Sequence, residues 1–93
     1  MNSPVKINAA HILVKTDSQA LVLKEELNKG ADFAALARAN STCPSSKDGG
    51  NLGFFGRGQM VKAFEDAAYS TPVGEVSGVV QTQFGYHLIH RTG

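Results

Sequence analysis

The side chains of this chain best placed to do chemistry are two histidines set among residues that should be core. His11 heads the run Ala10-His11-Ile12-Leu13-Val14, and His87 lies within Tyr86-His87-Leu88-Ile89. A buried imidazole needs a partner, because an unpaired polar group costs roughly 1–3 kcal/mol. Taken singly, each reads as a core histidine bonded to backbone. If their two strands are neighbours, the imidazoles can bond each other and fix both tautomers. Thr82, near the start of the same C-terminal segment, can join one of them. His90 follows His87 by three and faces the other way on a strand, where the side-chain period is two. Zinc held by His11, Cys43 and His87 is disfavoured, since the sequence offers no close ligand pair. No metal and no cofactor is expected.

Cys43 precedes Pro44 in a polar stretch, an uncommon place for a free thiol. It either fills a gap or stands on the rim of a pocket beside a histidine that tunes it. A Cys-His hydrolase would also need an oxyanion hole, which the sequence does not identify. Leu52, Met60 and Phe64 would ordinarily be core. Gly56, Gly58 and Gln59 crowd their approach, however. Glycines let backbone come close to something, and methionine makes an adaptable, polarisable wall. The hollow so outlined suits a compact aliphatic ring.

The elements that must position these groups follow from pattern. Val5 to Lys15 reads as a strand around the β-rich Ile12-Leu13-Val14. Thr16, Asp17 and Ser18 supply N-cap chemistry for a helix carrying Leu21, Leu23 and Leu27 and stopping at Gly30. Asp32 caps a second, short helix with Phe33, Leu36 and Ala37 on one face. Residues 40–51 form a loop rich in Ser, Pro, Asp and Gly, with room for an extra short helix within 41–50. Leu52 to Phe55 reads as a short strand, and Met60 to Tyr69 as a helix with Lys62, Glu65 and Asp66 off its apolar face. Val76 to Thr82 and Tyr86 to Arg91 read as a hairpin turning at Gln83-Phe84-Gly85. The order is βααβαββ, an α+β arrangement of sheet with packed helices.

A chain of 93 residues is expected to form one domain, 1–93, with 42% apolar content sufficient for its core. Nine Lys or Arg against eight Asp or Glu leave a net charge of +1 and no basic run, so no nucleic acid or anionic membrane is expected as partner. The single cysteine rules out an internal disulfide and fits a reducing compartment. Met1 to Lys6 lacks the apolar segment of a signal peptide, and no apolar run reaches the roughly 18 residues of a membrane span. Cytoplasmic placement, unless this is a domain of a larger exported protein, and, in the absence of heptads or a large apolar face, a monomer are the expectations.

Five motifs occur in order: Ala10-His11-Ile12-Leu13-Val14-Lys15, Gly50-Asn51-Leu52-Gly53, Gly58-Gln59-Met60-Val61, Phe64-Glu65-Asp66-Ala67 and Phe84-Gly85-Tyr86-His87-Leu88-Ile89. In these the chain resembles the parvulin-type peptidyl-prolyl cis/trans isomerases, from about Ile7 to Arg91. The resemblance implies an FKBP-like, four-stranded, mainly antiparallel sheet surrounded by helices, with a proline-binding cleft on one side. It implies that Leu52, Met60 and Phe64, with Gln59 and Phe84 beside them, receive the prolyl ring. His11 and His87 match the paired histidines beneath the cleft, Thr82 the residue bonded into that pair, and Cys43 a rim position that is Cys in some members and Asp in others. That interchange argues against obligatory attack by the thiol. The phosphate-directed members carry a basic cluster after the first strand, whereas Lys15-Thr16-Asp17-Ser18 has no arginine. A bidentate grip on phosphate is therefore not expected.

The resemblance implies an isomerase for X-Pro bonds that assists folding without phosphate direction, acting on proline-containing peptides and unfolded or partly folded clients. The alternative is a binding or chaperone module that holds such segments with little turnover.

Overall fold

The computed structural model describes residues 5–93, so the leader reading of Met1–Pro4 lies outside it. A mostly apolar run forms β1 (Ile7–Val14), and Thr16 ends the strand by capping α1 (Asp17–Asn28), its Oγ1 accepting from Gln19 N–H at 3.1 Å. Asp32 caps α2 (Phe33–Asn40) in the same way through Ala35 N–H at 2.9 Å. A 3₁₀ turn, Pro44–Asp48, leads into β2 (Asn51–Phe55). Helix α3 (Lys62–Ser70) and the hairpin strands β3 (Val80–Thr82) and β4 (Gly85–Arg91) complete the chain. The element order is the one the pattern predicts, with the 3₁₀ turn as the extra helix.

The strands form one sheet in the order β2-β1-β4-β3, with every neighbouring pair antiparallel. Period-2 alternation splits its side chains between two cores. Ala10, Ile12, Val14 and Leu88 meet Ala20 and Leu23 of α1 and Phe33 and Ala37 of α2. Ile7, Ala9 and Ile89 meet Phe55 and, from α3, Phe64 and Ala68. Among the described residues no helix is long and apolar enough to cross a membrane.

Four local expectations are corrected. The second-to-last strand starts at Val80, not Val76, because Ser77 interrupts it. Ser77 N–H donates to Ile89 O at 2.8 Å, but Ile89 N–H donates to the Ser77 hydroxyl at 3.0 Å, so a side chain takes the place of a ladder carbonyl. The Val76 carbonyl is meanwhile drawn to Lys24 Nζ at 3.0 Å. Helix α3 starts at Lys62, which leaves Met60 in the preceding bend. Leu21 is 53% exposed and α1 buries Ala20 and Leu23 instead. Glu65, placed by pattern off the apolar face, is buried.

Candidate active site

The antiparallel register puts Leu13 opposite His87 and His11 opposite Ile89, so the two histidines are diagonal neighbours on adjacent strands facing α3. They are 5% and 3% exposed, and their Nδ1 atoms lie 3.1 Å apart. The rings stack at 5.2 Å, and Phe64 meets both edge-on, at 5.4 Å and 5.2 Å. Gly50 holds this part of β1 in place: its carbonyl accepts from His11 N–H at 2.9 Å, and its φ of +85° is open to glycine. A Cβ at Gly50 would also run into the His11 carbonyl oxygen.

Two tautomer arrangements fit these contacts, and the one with the Thr82 hydroxyl as donor leaves no hydroxyl proton without a protein partner. Phe84 N–H donates to Thr82 Oγ1 at 3.1 Å, which leaves the Thr82 hydroxyl to donate to His87 Nε2 at 2.7 Å. His87 then carries its proton on Nδ1 and donates it to His11 Nδ1. The His11 proton sits on Nε2, a buried atom with no hydrogen-bond partner. The reverse assignment would hand Thr82 two donors and no acceptor for its own proton. Burial, then the nearby His87, pushes His11 down from 6.5 to about 4. Burial likewise lowers His87 below its ordinary value. Both imidazoles are therefore neutral at pH 7, the state in which one can donate to the other.

Above this pair is a cavity of about 490 Å³ lined by His11, Leu13, Thr42, Cys43, Pro44, Leu52, Gln59, Met60, Val61, Phe64, Phe84 and His87. No carboxylate, lysine or arginine is in that set. The structure thus brings together His11, His87, Cys43, Leu52, Gln59, Met60, Phe64 and Phe84. Thr82 is not a wall residue and reaches the cavity through His87. The half-buried Cys43 is held on the rim by a loop sewn to β1. Thr42 N–H donates to Leu13 O at 2.8 Å, and Ser41 Oγ accepts from Leu13 N–H at 3.0 Å and Cys43 N–H at 3.4 Å. Phe84, at the hairpin tip, is 62% exposed.

Sequence reading missed Leu13, Thr42, Pro44 and Val61 as lining residues. Leu13 was available from its place two residues after His11, on the same face of the strand. Thr42 and Pro44 flank Cys43 but carry no periodic signal. Among the described residues no three His, Cys, Asp or Glu side chains gather as a metal-holding group.

Comparison with known proteins points to one group. The family described as "PPIC-type PPIASE domain" matches residues 1–93. A protein named foldase protein PrsA from a Geobacillus species is 53% identical over 92 residues, covering 98% of this chain and 33% of its own length. The crystal structure of peptidylprolyl isomerase (PrsA) from Bacillus anthracis superposes with a TM-score of 0.94 at 43% identity, over 97% of this chain and 42% of that one. The solution structure of NmPin, described as the parvuline of Nitrosopumilus maritimus, covers 100% of both chains with a TM-score of 0.87 and 48% identity. The chain thus spans about a third of the length of the curated foldase it matches.

Proposed function

We propose, from the premise that this chain belongs to the parvulin-type (PPIC-type) peptidyl-prolyl cis/trans isomerase family, that its cavity binds the prolyl ring of a peptide or unfolded client and accelerates rotation about the X-Pro bond. The observation that carries the reading is an uncharged cavity set over two coupled, neutral imidazoles. Rotation is opposed by roughly 18–20 kcal/mol of C–N double-bond character. Each ~1.4 kcal/mol removed gives tenfold in rate. An acceleration on the order of 10⁴ therefore asks for about 5–6 kcal/mol.

Leu52, Met60 and Phe64 clamp the ring, with Gln59, Val61 and Phe84 at the margins, so that the preceding carbonyl is the part that swings. A water-poor wall disfavours the polar planar imide relative to its twisted, less conjugated form. Beneath it, Phe84 N–H, Thr82 O–H, His87 Nδ1–H and His11 Nε2–H are donors in series, all oriented the same way. The positive end of this dipole chain falls on the ring of His11, a lining residue of the cavity, and its field favours the lone pair that localises on nitrogen as the imide twists. It is pre-oriented by the fold, so no reorganisation is needed at the barrier. Cys43 contributes to the rim, and no covalent bond is made to it.

No arginine or lysine lines the cavity, which supports a substrate without phosphate before proline. The chain works in this reading as a monomer on protein segments, and nucleic acid is not a partner. The deciding experiment is exchange NMR on a panel of short X-Pro peptides with one phosphorylated member. Faster cis/trans exchange on the uncharged members is the expected result. Shift changes without added exchange would leave a binding module in its place.

A further inference from the structure

We infer that Glu65 is a positioning residue of this cavity, holding the Gly56–Met60 bend so that Gln59 and Met60 form its wall; the inference rests on the isomerase reading above. Glu65 lies one residue beyond the ring-facing Phe64 in α3, and at 7% exposure it is a buried carboxylate. Its Oε1 accepts from Gly58 N–H at 2.6 Å and its Oε2 from Arg57 Nη1 at 2.9 Å. The two oxygens thus take hold of consecutive residues of the bend, just before Gln59 and Met60.

Met60 and Val61 pack against the core beneath α3, but the residues before them have few other ties. Gly58 has φ +90°, and a Cβ built on it would meet nothing within 4 Å, so packing does not wedge it. Besides Glu65, the bend has one internal tie, Gly56 N–H to Gln59 Oε1 at 2.6 Å. Arg57 is more than half exposed, and its ion pairs with Glu65 and, at 3.9 Å, with Asp66 would be weak by themselves. The bond from a backbone N–H to a buried carboxylate is charge-assisted and is the stronger anchor. Arg57 in turn lies over the Tyr69 ring at 4.1 Å, which keeps its guanidinium near α3.

Helix α3 therefore supplies part of the cavity wall through Phe64 and aims another part, Gln59 and Met60, through Glu65. The N-cap of the helix, Val61, has no side-chain capping bond, and the Glu65 carboxylate reaches back across that end to Gly58. A carboxylate near a helix N-terminus is favourable in itself. That alone would make Glu65 a stabiliser; the bond to Gly58 is what makes it a determinant of Met60.

The test is a double-mutant cycle of Glu65→Ala with Met60→Ala, read by exchange NMR and by titration of an X-Pro peptide. Glu65→Ala is expected to raise KM and the peptide dissociation constant about tenfold, equivalent to ~1.4 kcal/mol, with a smaller change in kcat. Glu65→Gln keeps an oxygen for Gly58 N–H and recovers most of the affinity. The double variant is expected to bind no worse than the weaker single one, because both changes remove the same wall. Fold effects that multiply, or unchanged affinity in a folded Glu65→Ala protein, overturn the inference. If Glu65→Ala does not fold, Glu65→Asp, whose shorter side chain draws the carboxylate back from Gly58 N–H, replaces it in the cycle, with the same criterion of multiplying against non-multiplying effects. Absence of catalysed exchange in the unaltered protein would count against the isomerase reading, whereas the affinity cycle still decides the role of Glu65.

Discussion

The two sides of the sheet are made by the same strands and yet behave as different materials. On one side Ala10, Ile12, Val14 and Leu88 are sealed by α1 and α2, with His90 half-buried against the Phe33 ring at 5.2 Å. On the other, Ile7, Ala9 and Ile89 continue into His11, Leu13 and His87, and α3 alone covers them. Two helices close a core. One helix and a bend leave a hollow, and there the strands present imidazoles in place of aliphatic chains. On that half of one face three side chains and a backbone N–H bond each other in series, with His11 Nε2 at the end left without a partner.

The largest effect should come from Phe64→Ala, which removes the ring that touches both histidines. A loss of about 3–5 kcal/mol of stability is expected, together with a fall in kcat/KM of at least about 30-fold, ~2 kcal/mol. Urea unfolding and exchange NMR measure the two. Unchanged kcat/KM in the folded variant would remove the distinction between the faces. Leu88→Ala, on the sealed side, should cost about 2–5 kcal/mol of stability. Its kcat/KM per folded molecule should stay near that of the parent; a selective loss of activity would show the faces to be coupled.

Acid should also act through the imidazole face. The folded pKa of His11, about 4, lies below its ordinary 6.5, so between these values the unfolded chain binds more protons. Stability is complete above about pH 6.5 and drains away as the pH falls towards 4, by about 3 kcal/mol for this one group. The lowered His87 adds in the same direction. Catalysis per folded molecule should hold longer and fade only as the pH nears the lowered folded values, because only then does protonation turn an acceptor nitrogen into a second donor. Unfolding midpoints and kcat/KM recorded from pH 7.5 to 3.5 check both; a flat stability profile would mean that burial does not lower the imidazole pKa values. The smallest effect is expected for Cys43→Ser on the rim, a change in kcat/KM within about threefold, since no thiolate attack is involved. Complete loss with the fold intact would shift the chemistry from the floor to the thiol.

Much of the architecture was readable because it is local. Thr16 and Asp32 announce their helices by hydrogen-bonding their own backbone a turn ahead, and Gly30 ends the first. The apolar runs Ile12-Leu13-Val14 and Leu88-Ile89 mark β1 and β4. Where reading by pattern failed, a distant group had intervened. Ser77 breaks the expected strand by giving its hydroxyl to Ile89, and nothing near Ser77 in the chain announces that. Leu21 looked like core beside Leu23 and Leu27, but which face of α1 meets the sheet depends on where the sheet lies. Glu65 looked like a solvated charge, yet it is buried because the bend before α3 folds its backbone N–H onto the carboxylate.

Residue order by itself settled the types of element, their caps, and the fact that His11 and His87 lie among core residues, since helix and strand periodicity and capping act over a few positions. Tertiary structure decided that β1 and β4 are neighbours, bringing Nδ1 atoms 76 residues apart to within 3.1 Å. It also decided that a single helix covers that side. Strand pairing and burial are contests among all segments at once, and the hollow exists only in their outcome.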